Sequence, residues 1–258
     1  KKYITSLLSL ALLATGGGSA FAQTDVTSTY IVNPGFELST GETGNIAGGD
    51  NTTSSKDYTE TGWKNTNTAT WSCSAVIAYG SGQINGGNAP ASDNADATGN
   101  ALGISVGWSG TVTYQSAQNI TLPAGTYTLK VNAYNANTGK DDKNNPYVYF
   151  KSLFGFVTSN GKSFLSTKTS FTQSQWTEDV VTFTLDENTE GYIQLGGQAQ
   201  NAGSGNNAKL LLDNITLTKI EPVIPDGPTI SMRVHQKPSC QEVPTGAQRP
   251  QQTSMAFR

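Results

Sequence analysis

Histidine occurs once in this chain and arginine three times. All four residues (His235, Arg233, Arg249 and Arg258) fall within the last 30 of 258 positions. Charge of either sign is scarce, at 14% of residues. That is too little for a disordered polyelectrolyte, a coiled coil or a nucleic-acid-binding surface. A sequence pI near 5.2 argues the same way against nucleic acid. No apolar run reaches the roughly 18–20 residues that a spanning helix needs. Cysteine is nearly missing too, with only Cys73 and Cys240.

These absences remove much chemistry. Up to Pro228 the chain has no histidine, so that stretch can build no Ser-His-Asp triad, Cys-His pair or histidine metal site. Paired carboxylates remain as a hydrolytic route. Glu178-Asp179 and Asp186-Glu187 are adjacent in sequence, and strand neighbours point to opposite faces. Neither pair can therefore flank one glycosidic bond. Glu60 with Glu178 is conceivable, but no spacing commends it, and Asp141-Asp142-Lys143 reads as a solvated turn. Lyase chemistry wants a strong base and a charge neutraliser, which a fold without His or Arg lacks. Cys73 reads as a solitary buried thiol.

The two ends read differently from the middle. Lys1 and Lys2, an apolar core from Leu7 to Ala14, and Ala20-Phe21-Ala22 before Gln23 form an export-signal pattern over residues 1–22. An exported, periplasmic, extracellular or cell-surface protein is expected. Glu221–Pro228, with Pro222, Pro225 and Pro228, reads as a stiff linker. Beyond it residues 229–258 turn basic and lose apolar periodicity, as a disordered tail would. Between Gln23 and Pro228 stand ten lysines and eighteen acids, a net charge of −8.

What the middle has in abundance is Gly, Asn and Thr between short alternating runs. Leu102, Ile104 and Val106 alternate. In Thr126–Tyr134 the residues Tyr127, Leu129, Val131 and Ala133 share one face, while Thr128, Lys130, Asn132 and Tyr134 share the other. Trp176–Leu185, Tyr192–Leu195 and Lys209–Thr218 are spaced alike. Period-two runs between turn signals predict an all-β sandwich or barrel spanning one domain, residues 23–220.

Several motifs occur in a telling order: Asn33-Pro34-Gly35-Phe36-Glu37, Gly62-Trp63, Gly99-Asn100-Ala101-Leu102, Leu122–Leu129, Trp176, and Leu212-Asp213-Asn214-Ile215. In this order they resemble the galactose-binding-like jelly-roll carbohydrate-binding modules attached to bacterial xylanases and glucanases. The resemblance implies a two-sheet jelly roll whose terminal strands adjoin. It also implies a structural calcium ion held by Glu37 and Asp213, with the Gly35 and Ala101 carbonyls as further ligands. Family members often place an acid directly before the Gly-Asn turn. Here Thr98 stands in that place, and Asp96 is the nearest acid.

Sugars offer apolar C–H faces and rings of hydroxyls, so a binding surface pairs exposed aromatic rings with amides and carboxylates. Trp63, Trp176 and Tyr127 read as core. Trp108, Tyr134, Tyr147, Tyr149 and Trp71 are the candidate platforms, with Asn132, Lys130 and Gln115 as hydrogen-bonding neighbours. The expected function is a non-catalytic module that binds a polysaccharide, coupled through the linker to a glycoside hydrolase. The alternatives are a jelly-roll hydrolase or lyase, and a spacer module with no sugar site.

Overall fold

Alternation at period two builds nearly every element of this molecule. The computed structural model describes residues 21–46, 61–66, 72–90, 99–107, 110–140, 144, 146, 150–199 and 208–222. The chain divides into two units between Val223 and Ile224, and every described residue belongs to the first. Its strands are β1 (Phe21–Asp25), β2 (Glu42–Ile46), β3 (Trp63–Asn65), β4 (Cys73–Ile84), β5 (Gly87–Asn88), β6 (Asn100–Val106), β7 (Thr111–Ser116), β8 (Ile120–Leu122), β9 (Gly125–Asn135), β10 (Phe150–Ser152), β11 (Gly155–Thr158), β12 (Ser163–Leu165), β13 (Trp176–Leu185), β14 (Thr189–Ala199) and β15 (Ala208–Pro222). One short helix, α1 (Thr27–Tyr30), follows β1.

The strands form two sheets, giving the all-β sandwich that the alternation predicts. The first runs β13-β9-β15-β6-β4-β2, with β1 on β15 and β5 on β4; the second runs β12-β11-β14-β7-β3, with β10 and β8 on β14. Among the described strands all pairings are antiparallel except β2 with β4, and one isolated parallel bridge joins Asn135 to Gln173. The turn from β4 to β5 is Asn85-Gly86, both at positive φ. Such a two-residue turn matches strand twist, and Asn-Gly tolerates it best.

The residues assigned to one face of β9 do meet the second sheet. Tyr127, Leu129, Val131 and Ala133 are buried in a core shared with Phe156, Ile193 and Leu195. Phe183 sits at its centre, stacked on Tyr127 at 5.7 Å, Phe156 at 5.3 Å and Phe164 at 5.2 Å. Trp63 is buried, as expected, and its indole N–H donates to the Asn33 carbonyl at 3.0 Å. A buried carboxylate also bridges the layers. Asp179 of β13 accepts the Ser152 hydroxyl at 2.6 Å and the Ser166 hydroxyl at 2.5 Å. Its neighbour Glu178 faces solvent on the opposite side of the strand, as alternation requires.

The terminal strands adjoin, as the jelly-roll resemblance implies. β1 pairs with the end of β15 from Phe21↔Pro222 to Asp25↔Thr218. Two residues of the signal-like segment and two of the Pro-rich segment are therefore strand residues. The anchor lies just after β1: the Val26 amide donates to the Leu217 carbonyl at 2.9 Å, and the Leu217 amide to the Thr27 hydroxyl at 2.8 Å. Cys73 is buried, and its thiol donates to the Ile46 carbonyl at 3.6 Å; Cys240 lies outside the described residues.

Candidate functional site

The described candidates for sugar contact fall on two faces that point away from each other. Tyr134, Asn132 and Lys130 stand on the outer face of the first sheet, while Gln115 stands on the outer face of the second. Trp71, Trp108, Tyr147, Tyr149 and Asp96 lie outside the described residues.

On the first sheet the outward residues fall into rows. One row runs Trp176, Tyr134, Leu211, Gly103, Ala75 across five strands. The next opens Glu178, Asn132, Asp213. Trp176 was expected in the core. Instead it is half-buried on the outer face, 5.3 Å from the Tyr134 ring and edge-on to Tyr79 at 6.2 Å. Its parity gives the reason: Trp176 is out of phase with Val181, Phe183 and Leu185, which point inward. Beneath these rings lies a second apolar cluster that includes Cys73, Ala75, Ile77, Ala101 and Leu211, with Ile46, Ile84 and Ala136. Lys130 pairs with Glu178 at 3.2 Å, both well exposed. Farther along β15, burial holds the Lys209 ammonium below the usual lysine range, against a smaller opposing effect from Cys73.

The second sheet's outer face is different. Lys64, Gln115 and Gln194 stand directly opposite one another on β3, β7 and β14. Gln194 donates its amide to the Leu153 carbonyl at 2.9 Å, which fixes that side chain in the row. Half-buried Tyr192 lies two residues along β14, opposite Val157 of β11. Toward the other end Thr113 and Thr66 share a 2.8 Å hydroxyl contact, and Gln198 faces Thr111. Sequence reasoning missed Lys64, Tyr192 and Gln194. Parity was the available signal, since Tyr192 and Gln194 are out of phase with the inward Ile193 and Leu195.

The residues tied to calcium by resemblance converge at a third place. The Asn33–Glu37 loop docks on a bulge of β15 between Asp213 and Thr216, where Asn214 has positive φ. The Ile215 amide donates to the Pro34 carbonyl at 3.0 Å. A Cβ built on Gly35 would lie 3.6 Å from Asp213 Oδ1 and 3.9 Å from Glu37 Cγ. Asp213 is buried; its Oδ2 accepts the Tyr79 hydroxyl, and its Oδ1 accepts the Asn214 amide at 2.7 Å. Glu37 is exposed and accepts the Asn100 amide at 3.1 Å. Ala101 follows on β6, next to the Leu102↔Leu212 pair. Among the described residues no group of three or more His, Cys, Asp or Glu side chains gathers at one point.

A cavity of about 330 Å³ opens between the β11–β12 and β13–β14 turns, lined by Asn160, Lys162, Phe164, Asp186 and Glu187 among others. It offers no free ring face: Phe164 stacks on Phe183, and the Lys162 ammonium lies 4.7 Å over its ring.

No protein-family model and no curated protein matches the chain. Solved structures do match, among them three at low identity. An arabinose-bound family 51 α-L-arabinofuranosidase is 14% identical, with a TM-score of 0.45 over 74% of this chain and 26% of that one. A family 61 carbohydrate-binding module in complex with β-1,4-galactotriose is 14% identical, with a TM-score of 0.42 over 74% of this chain and 97% of its own. A Stig cyclase from Fischerella sp. TAU, bound to an indole compound, is 18% identical, with a TM-score of 0.43 over 74% and 96%. The chain spans about a quarter of the arabinofuranosidase.

Proposed function

We propose that this chain is an exported, non-catalytic carbohydrate-binding module whose polysaccharide lies across the outer face of the second sheet. The observation that carries the reading is the in-register row Lys64, Gln115, Gln194 with Tyr192 beside it. An amide offers both a donor and an acceptor, which matches a sugar hydroxyl that does both. A half-exposed phenol supplies a ring face for C–H stacking and a polar tip. The inward sides of these strands already fill the core, so packing does not account for the outward Gln115 side chain. Rigid strands hold the row ready, and preorganised contacts lose less on binding.

Non-catalytic action is supported by how the carboxylates are engaged: on the second sheet Glu190, two residues from Tyr192 on β14, accepts the Asn119 side-chain amide at 3.1 Å. On the first sheet Glu178 is tied to Lys130 and Asp213 to Tyr79. The Pro-rich segment after β15 would join the module to a glycoside hydrolase, raising local enzyme concentration at the polymer.

A calcium ion belongs to the same proposal. Hard cations take carboxylate and carbonyl oxygens, and Glu37, Asp213 and the Gly35 and Ala101 carbonyls supply that chemistry around one loop. The ion's part would be structural, fastening the opening loop to the last strand. Binding only to the folded state raises stability, so melting temperature is expected to rise in excess calcium and fall in chelator. An unchanged melt in both would remove the ion from the account.

The functional test is affinity electrophoresis of the full chain in gels containing xylan, β-glucan, mannan or pectin, with reducing-sugar release measured on the same polymers. Retardation without sugar release is expected. Gln115→Ala with Gln194→Ala should reduce retardation while lowering stability by no more than about 1 kcal/mol, the worth of the hydrogen bond from Gln194 to the Leu153 carbonyl. Sugar release would replace the reading with an enzyme, and no retardation in any gel would favour a spacer module.

A further inference from the structure

We infer that the outer face of the first sheet is a second glycan-binding surface, so that one domain bridges two polysaccharide chains. The inference rests on the glycan reading above and extends it from one surface to two. Trp176 and Tyr134 stand directly opposite each other on β13 and β9. Their rings are 5.3 Å apart, tilted by 51°, and both are half-buried. Tyr79 meets the indole edge-on at 6.2 Å, and a buried apolar cluster supports the group from below. The rings are therefore held in place before any ligand arrives, which lowers the ordering cost of stacking.

The adjoining row supplies the polar half of a sugar site. Asn132 stands between Glu178 and Asp213, so an amide and an exposed carboxylate lie one strand step from the ring pair. Strand residues two apart are separated by about 6.7 Å, close enough for one sugar to touch a ring and an amide together. Lys130 offsets the charge of Glu178 at 3.2 Å. The exposed charges of the strip thus cancel, with Asp213 buried beneath the surface, which suits an uncharged polysaccharide.

The geometry of a sandwich then makes the module bivalent. Both sheets spend their inner faces on a common core, so their outer faces look in opposite directions. A single extended glycan cannot lie on both. Two weak surfaces on one rigid body gain avidity on a dense polymer and cross-link a dilute one.

The test uses the full chain with whichever of xylan, β-glucan, mannan or pectin retards it. Gel retardation reads binding, and light scattering of the dissolved polymer on adding protein reads bridging. Wild type is expected to do both. Gln115→Ala/Gln194→Ala and, separately, Trp176→Ala should each keep retardation, with affinity about tenfold weaker, and lose the scattering increase. Combining them should abolish both signals. Should Trp176→Ala fail to fold, Asn132→Ala/Glu178→Gln probes the same face without touching the apolar cluster. Retardation with no scattering by wild type would overturn bridging, as would scattering unchanged by the first-sheet variants. Loss of all retardation from changing either face alone would also overturn it, leaving a single site. If no polymer retards wild type, the glycan reading falls first and this inference with it.

Discussion

The two outer faces of this sandwich are built to different rules. On the first sheet the outward side chains are large and half-sunk: Trp176 and Tyr134 rest on a second apolar cluster in which Leu211, Ala75, Ile77 and Ala101 are fully buried. On the second sheet the outward residues are mostly amides, hydroxyls and charged side chains, with Tyr192 and Val157 paired among them, and no separate apolar cluster of the described residues lies on that side. A face with its own apolar layer couples ligand contact to stability, because the residues that meet the ligand also hold the sheet together. A face without one keeps the two separate. Substitutions on the first sheet should therefore move both melting temperature and binding, and those on the second only binding.

The largest expected effect tests the apolar layer itself. Leu211 is fully buried between Tyr134 and Gly103. Leu211→Ala removes buried methyl groups and leaves a void, at a cost of about 3 kcal/mol. In a domain of this size that lowers the melting temperature by roughly 6–12 °C. Thr113→Ala, at an outward position of the second sheet opposite Gly196, should change stability by about 0.5 kcal/mol or less. Equal losses at the two positions would erase the distinction.

A smaller effect separates the polar edge of the first face from its apolar part. Tyr79→Phe keeps the ring against Trp176 and removes the hydroxyl that donates to Asp213. Taking a donor from a buried carboxylate should cost about 2 kcal/mol, read as a lower urea midpoint at unchanged slope. An unchanged midpoint would show that the Asp213 bulge is held by its other contacts.

Much of this was legible in the sequence, and the reason is the same period of two. Alternation along Thr126–Tyr134 placed Tyr127 inside and Tyr134 outside, and motif order paired the ends of the domain. What stayed hidden depends on which sheet a strand joins. Gln115 and Asn132 look alike in sequence, both polar residues in alternating runs. Only pairing to β14 rather than to β15 sends them to opposite sides of the molecule. Trp176 was misjudged because a strand-opening tryptophan before Val181-Phe183-Leu185 was read by company rather than by phase. The second apolar cluster was also out of reach, since Ile46, Ile84 and Leu211 belong to strands that sequence places far apart.

Smaller still is the effect of the one ion pair between β9 and β13. Lys130 and Glu178 lie 3.2 Å apart with side chains 40% and 52% exposed. Water screens such a pair, and it contributes less than about 0.5 kcal/mol. Glu178→Gln keeps the shape and removes the charge, so the melting temperature should fall by no more than roughly 2 °C. Added salt shortens the range of the attraction, and the difference between wild type and variant should disappear at about 1 M sodium chloride. A difference that persists in salt would mean that the Glu178 side chain is bound into the first face by more than Coulomb attraction. The polar row would then be as firmly built as the rings beside it. The contrast between the two faces would lie in both their polar and their apolar residues.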